Sequence, residues 1–266
     1  ITSAISGGFF PADVLLLTSQ ENRFFASGFS SSAGMLLITA QKSMFITDSR
    51  YYEAACASLP GTEVTLLTRD EKYSNVLNRF FAQENITSIC FEDTVIPCSE
   101  YELLSNALNA KLIPLGKRLN FLRAQKQEHE LLMMQKAQDI TDAAFSYLLG
   151  KLKPGMSEKE IKAELIYALY KCGGEKESFE PIVVSGPNSS LPHGHATERV
   201  VRNGDFLTMD FGVVYGGYCS DMTRTVAFGT VSDEMRKVYD IVLEANLLGL
   251  ETARAGVFWR DVDKKV

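Results

Sequence analysis

Residues 206–228 read Phe206-Leu-Thr-Met-Asp-Phe-Gly-Val-Val-Tyr-Gly-Gly-Tyr-Cys-Ser-Asp-Met-Thr-Arg-Thr-Val-Ala-Phe228. Two runs rich in β-branched and aromatic residues flank Gly216-Gly217, the pattern of a β-hairpin. A turn centred near Tyr215 and Gly216 puts Asp210 and Asp221 directly opposite each other, with Cβ atoms roughly 5 Å apart. Two carboxylates so placed repel, and they call for a proton or a cation between them. Hard oxygen donors at that spacing suit one divalent ion, or two ions sharing a carboxylate. The neighbouring Met209, Phe211 and Met222 predict a site shielded from bulk water. Taken alone, the stretch also fits a solvent-facing hairpin whose aspartates merely begin and end turns.

The chain has 266 residues, room for one large domain or two, and 45% of them are apolar, ordinary for a protein with a sizeable core. No run approaches the ~18 apolar residues of a membrane span. The start, Ile1-Thr-Ser-Ala-Ile-Ser-Gly-Gly-Phe-Phe10, lacks the basic start and apolar stretch of a secretion signal. It also lacks an initiator Met, so it is expected to be processed, trimmed or incomplete. A net charge of -6 with no basic cluster predicts no nucleic-acid and no membrane partner. The five cysteines (Cys56, Cys90, Cys98, Cys172, Cys219) are odd in number and show no C-x-x-C spacing. That pattern predicts reduced thiols and a cytoplasmic protein.

Strand-like runs at Val14–Thr18, Met35–Thr39, Met44–Thr47, Val64–Leu67 and Ser88–Phe91 alternate with helix-like stretches at Arg50–Leu59 and Glu71–Glu84. The alternation predicts an α/β layer structure with its own core. The pattern breaks around Pro114–Asn120, and apolar residues at helical spacing (Met133, Ala137, Ile140, Ala144, Tyr147) predict one long helix over Arg123–Leu149. We place the boundary near 118–122, giving domains 1–120 and 121–266. Ser157 and Glu160 form a capping box that opens a second helix, which stops at Gly173-Gly174. The hairpin follows, then a third helix over Asp233–Ala253, so the second domain is α+β.

Several further motifs accompany the hairpin. Ser185-Gly-Pro-Asn-Ser-Ser-Leu-Pro-His193, Asn203-Gly-Asp205, Met209-Asp-Phe-Gly212 and Gly217-Tyr-Cys-Ser-Asp-Met-Thr-Arg-Thr225 occur in that order. Upstream stand Asn22-Arg-Phe-Phe-Ala-Ser-Gly-Phe29 and Thr47-Asp-Ser-Arg-Tyr-Tyr52. Together they resemble the metallopeptidase family of Xaa-Pro aminopeptidases and Xaa-Pro dipeptidases (prolidases). The resemblance spans nearly the whole chain. It implies a creatinase/prolidase-type N-terminal domain followed by part of a pita-bread catalytic domain.

By that resemblance, Asp210 and Asp221 match the first two metal ligands of a dinuclear site, and Asp221 is the one that bridges the two ions. Divalent ions there (Mn, Co or Zn) activate water and polarise the scissile carbonyl. His193 matches the histidine that meets the substrate and the developing oxyanion. Thr223, on the same face as Asp221, reads either as a support for a metal ligand or as a plain strand threonine. Arg224 falls on the opposite face and reads as structural. His195 reads as a loop residue, His129 as a surface residue, Cys219 as a buried structural thiol, and Asp48 with Arg50 as a local ion pair. The expected substrate is a proline-containing peptide and the expected assembly a homodimer.

The family pattern needs one more histidine and two glutamates downstream of the hairpin. The chain has three histidines, none after His195. Glu234, Glu244 and Glu251 sit in no matching motif. The chain is therefore expected to be a fragment, or else a naturally short paralogue, and to hold metal weakly and be inactive as it stands. Two other functions compete: a non-catalytic binding module on the same fold, and a metal-free creatinase-type amidinohydrolase. The intact aspartate pair disfavours both.

Overall fold

The computed structural model describes residues 1–266, which divide into two compact units, residues 1–127 and 128–266. The first contains α1 (Thr2–Ser6), β1 (Leu15–Leu17), α2 (Gln20–Ser27), β2 (Met35–Ile38), β3 (Ser43–Thr47), α3 (Tyr52–Ser58), β4 (Glu63–Leu66), α4 (Tyr73–Glu84), β5 (Ser88–Phe91), α5 (Cys98–Ala107), β6 (Lys111–Pro114) and α6 (Arg118–Ala124). Its strands form one mixed sheet in the order β4-β3-β2-β1-β5-β6. Alternate side chains of β1 enter different cores: Leu16 packs with Leu37, Ile46, Phe80 and Ile89, while Leu15 and Leu17 pack with Leu36, Phe45, Cys90 and Leu115. A sheet covered on both faces needs apolar residues at every position, which explains the unbroken hydrophobic runs of these strands.

The second unit contains α7 (Glu128–Leu149), α8 (Glu158–Lys171), β7 (Lys176–Glu177), β8 (Ile182–Ser185), a 3-10 turn over Gly186–Ser190, β9 (Asp205–Phe211), β10 (Val213–Tyr215), β11 (Tyr218–Cys219), β12 (Met222–Phe228), α9 (Asp233–Thr252) and α10 (Trp259–Asp263). Its core joins Ala137, Ile140 and Ala144 of α7 and Ile161, Leu165 and Leu169 of α8 to Val183, Leu207, Met209 and Phe211. The expected capping box is present: the Ser157 hydroxyl accepts from the Glu160 amide, and the Glu160 carboxylate accepts from the Ser157 amide.

Three features differ from the sequence reading. The helix expected over Arg123–Leu149 is two helices, α6 and α7, parted at Gln125–Gln127 where no Pro or Gly signals a break. The strand β6 and helix α5 are additions. The hairpin is shared between two sheets, β11-β10-β7 and β12-β9-β8. No helix is long and apolar enough to cross a membrane.

Candidate metal centre

The hairpin turn consists of Gly216 and Gly217, with φ of 56° and 81°. Both residues are left-handed, so this is a two-residue turn of the type that matches strand twist and demands glycine. Tyr215 pairs with Tyr218 and Val214 with Cys219. Beyond the switch between sheets, Met222 pairs with Phe211 and Thr223 with Asp210. The register is therefore unbroken across the switch, and it sets Asp221 opposite Gly212.

Asp210 and Asp221 are consequently diagonal neighbours rather than a directly opposed pair. The turn lies one residue further along than the sequence reading placed it, which moves each cross-strand partner by two positions. A two-position shift keeps every side chain on its original face. Both aspartates thus still share one face, with Cβ atoms roughly 7 Å apart.

That face is open. Asp210 is half-buried and Asp221 exposed. Met209, Phe211 and Met222, expected to shield the pair, are buried on the other side of the sheet. Strand alternation sends the immediate neighbours of an aspartate away from it. The register likewise sets Arg224 opposite Met209, on the face away from the aspartates, where it is exposed.

Thr223 stands directly across from Asp210, and its Oγ1 donates to Asp210 Oδ1 at 2.6 Å. This bond turns one oxygen of Asp210 toward β12 and fixes the carboxylate's rotation. Asp210 Oδ2 and both oxygens of Asp221 accept no hydrogen bond from the protein.

The backbone around Asp221 is held just as closely. The Ser220 amide donates to the Val213 carbonyl at 2.9 Å, and the Ser220 hydroxyl accepts from the Val213 amide at 2.9 Å. Buried Thr141 of α7 touches that hydroxyl at 2.6 Å, and Ser178 donates to the Ser220 carbonyl at 2.8 Å. Opposite Asp221 only glycine fits, because a Cβ on Gly212 would lie 2.0 Å from the Ser220 carbonyl oxygen. Met-Asp-Phe-Gly212 and Cys-Ser-Asp221 are thus two halves of one close backbone approach.

His193 lies on the loop between the 3-10 turn and β9, and it is exposed, as are His195 and His129. Cys219, expected to be buried, is exposed on β11, an edge strand beside the turn. Asp48 and Arg50 form the expected local pair, with Nη2 donating to Oδ2 at 2.7 Å. Glu130, the residue after His129, is buried and accepts from the Tyr218 hydroxyl at 2.9 Å.

Residues 133–266 match the model of metallopeptidase family M24, and residues 11–125 match the creatinase/prolidase N-terminal domain. The chain belongs to metallopeptidase family M24. It is 35% identical over 252 residues to an uncharacterized peptidase of Bacillus subtilis, covering 94% of this chain and 71% of the relative. It is 36% identical over 262 residues to a putative Xaa-Pro aminopeptidase of Mycoplasma genitalium, covering 95% and 70%. Among solved structures, a Xaa-Pro dipeptidase from Bacillus anthracis superposes with a TM-score of 0.91 at 37% identity, covering 98% of this chain and 72% of that one. An X-Pro aminopeptidase from Thermotoga maritima gives 0.90 at 34%, covering 97% and 75%. The first unit accordingly has the creatinase/prolidase-type fold, and the second has the pita-bread fold of M24 enzymes.

The family implies divalent metal, and the donors here fit it. Asp210 and Asp221 are hard oxygen ligands on one face, with lone pairs left free and one carboxylate braced by a hydroxyl. They supply two donors, and the structure gathers no cluster of three or more His, Cys, Asp or Glu that would complete a set.

Proposed function

We propose that this protein is a metal-dependent exopeptidase that hydrolyses the bond between an N-terminal residue and proline, as an aminopeptidase or a dipeptidase. The reading is carried by the free carboxylate oxygens of Asp210 and Asp221 on one strand face, in a chain 37% identical to a Xaa-Pro dipeptidase. The substrate class is taken from the Xaa-Pro relatives, and proline suits a dedicated enzyme because its amide has no N–H and its ring fixes φ.

Asp210 and Asp221 would hold the metal. Thr223 keeps Asp210 from rotating away from the ions. Bound divalent ions (Mn, Co or Zn) supply activated water and a Lewis acid for the scissile carbonyl. His193, exposed and without a protein partner, donates a hydrogen bond to the oxygen on which negative charge develops. The assembly we infer is a cytoplasmic homodimer acting on proline-containing peptides.

Manganese binding followed by electron paramagnetic resonance tests the ligand assignment without requiring turnover. Weak binding that disappears in Asp221→Asn, together with any hydrolysis of an Xaa-Pro dipeptide, is the expected outcome. Binding and turnover that both survive Asp221→Asn would sink the assignment.

A further inference from the structure

The second unit contains a carboxylate that the peptidase reading does not use. Glu158 opens α8, where an acidic residue is ordinarily a solvated partner of the helix dipole. Here its residue is fully enclosed, at 0% exposure. Its Oε1 accepts from the Ser185 amide at 2.7 Å, the Ser185 hydroxyl at 2.8 Å and Asn188 Nδ2 at 3.2 Å. Its Oε2 accepts from the Thr197 amide at 2.9 Å and the Thr197 hydroxyl at 2.7 Å. The two oxygens therefore hold opposite ends of one loop, residues 186–196, a span in the size range of Ω-loops (roughly 6–16 residues).

Apart from Gly194, buried against Val184, and Ala196, which packs on the core, few contacts tie that loop down. Its own bonds are local turns: Ser189 Oγ to the Gly186 carbonyl, the Leu191 amide to Asn188, the Gly194 amide to Leu191. Leu191, Pro192 and His193 are all exposed, so no apolar side chain among them anchors the tip. Arg199 reinforces the base, donating to the Ser185 hydroxyl and pairing in bidentate fashion with Asp205 at 2.7 and 2.9 Å. The α8 amides of Glu158 and Lys159 add bonds to the carbonyls of Arg199 and Thr197.

We propose that Glu158 is a positioning residue for the peptidase reaction: its carboxylate clamps both ends of the 186–196 loop and so fixes where His193 is presented. The proposal rests on the reading of His193 as the side chain that meets the substrate. An ionised carboxylate is the one side chain able to accept at both ends, since each oxygen faces only donors. A glutamine of the same shape carries one oxygen and one NH2 group. Wherever it points the NH2, a donor at Ser185 or Thr197 faces another donor.

Glu158→Gln therefore opens one end of the loop while leaving volume unchanged. Amide hydrogen exchange is expected to speed up about tenfold at either Ser185 or Thr197, with Leu207 and Met209 retaining their protection. The ring resonances of His193 are expected to move toward those of an unstructured histidine. Thr197→Val, which removes a single hydroxyl, gives the same pattern at smaller amplitude and serves if the glutamine variant does not fold. Unchanged exchange at both amides with unchanged His193 resonances would overturn the clamp. His193→Ala tests the underlying reading separately. If it leaves Xaa-Pro peptide binding and hydrolysis intact while exchange still responds to Glu158, the clamp holds the loop but the role of His193 fails, and with it the positioning function.

Discussion

Two kinds of carboxylate stand within the second unit, and their surroundings differ in one respect. Glu158 is enclosed and every lone pair direction available to it meets a donor, five of them from Ser185, Asn188 and Thr197. Asp210 accepts one bond, from Thr223, and Asp221 none. Glu92 in the first unit belongs with Glu158: it is 2% exposed and accepts from the amides and hydroxyls of Thr18 and Ser19 and from Asn22. A saturated carboxylate has nothing left to offer a ligand and spends its charge on holding chain segments together. An unsaturated pair on an open face keeps its lone pairs for a cation. Acidic residues that look alike in a sequence are separated by the donors the fold brings to them.

The comparison is broken first by removing the saturated groups. Glu158→Ala leaves five donors without their acceptor, three of them on buried Ser185 and half-buried Asn188, and is expected to cost about 3 kcal/mol in urea unfolding, with Glu92→Ala costing a similar amount. Circular dichroism is the appropriate probe, because the single tryptophan, Trp259, is 86% exposed and reports poorly on the core. Losses below 0.5 kcal/mol for both would show that saturation contributes little.

Acid provides a second and milder perturbation. Burial works to raise the pKa of Glu158, but the bonds from Thr197 and Ser185 outweigh it and hold the group below the usual carboxylate value. Burial and the bonds from Ser19 and Asn22 act likewise on Glu92. A folded pKa below the unfolded one means that the unfolded chain binds the proton first. The stabilisation is therefore complete above the ordinary glutamate pKa, about 4.3, and is lost as pH falls through the depressed folded value. Glu158→Gln, with no proton to gain, should show a shallower fall of stability with acid than the parent chain. An equally steep fall would place the acid sensitivity elsewhere.

The smallest effects belong to the unsaturated pair. Asp221→Asn should change stability by no more than about 0.5 kcal/mol, as for exposed positions generally, even though it removes metal binding. A loss as large as that of Glu158→Ala would erase the distinction between the two kinds of carboxylate.

Much of this molecule was legible in its sequence. The strands of the first unit were found because two-sided burial forces continuous apolar runs such as Leu15–Leu17 and Met35–Ile38. The face shared by Asp210, Asp221 and Thr223 was also legible, since strand alternation depends only on parity. What escaped depended on contacts distant in sequence. Glu158 stands in a helix's first turn, where acidic residues are common, and nothing local announces that Ser185 and Thr197 meet it. The nearest signal was the cluster of small hydroxyl residues in Ser185–Ser190, which reads as a loop but does not name its acceptor. The exposure of Cys219 escaped because edge position in a sheet is a property of topology.

The Gly216-Gly217 turn touches neither aspartate, yet it works as a counting device for the pair. Moving its centre by one whole residue alters which residues face each other but leaves both carboxylates on the same side. Adding or removing a single loop residue with strand pairing carried through would reverse the parity of one strand and drive Asp221 into the packed layer beneath Met209. The competence of the centre is thus written as an even or odd number in a turn that is itself free of charge, and single-residue insertions there should be far less tolerable than its exposed position suggests.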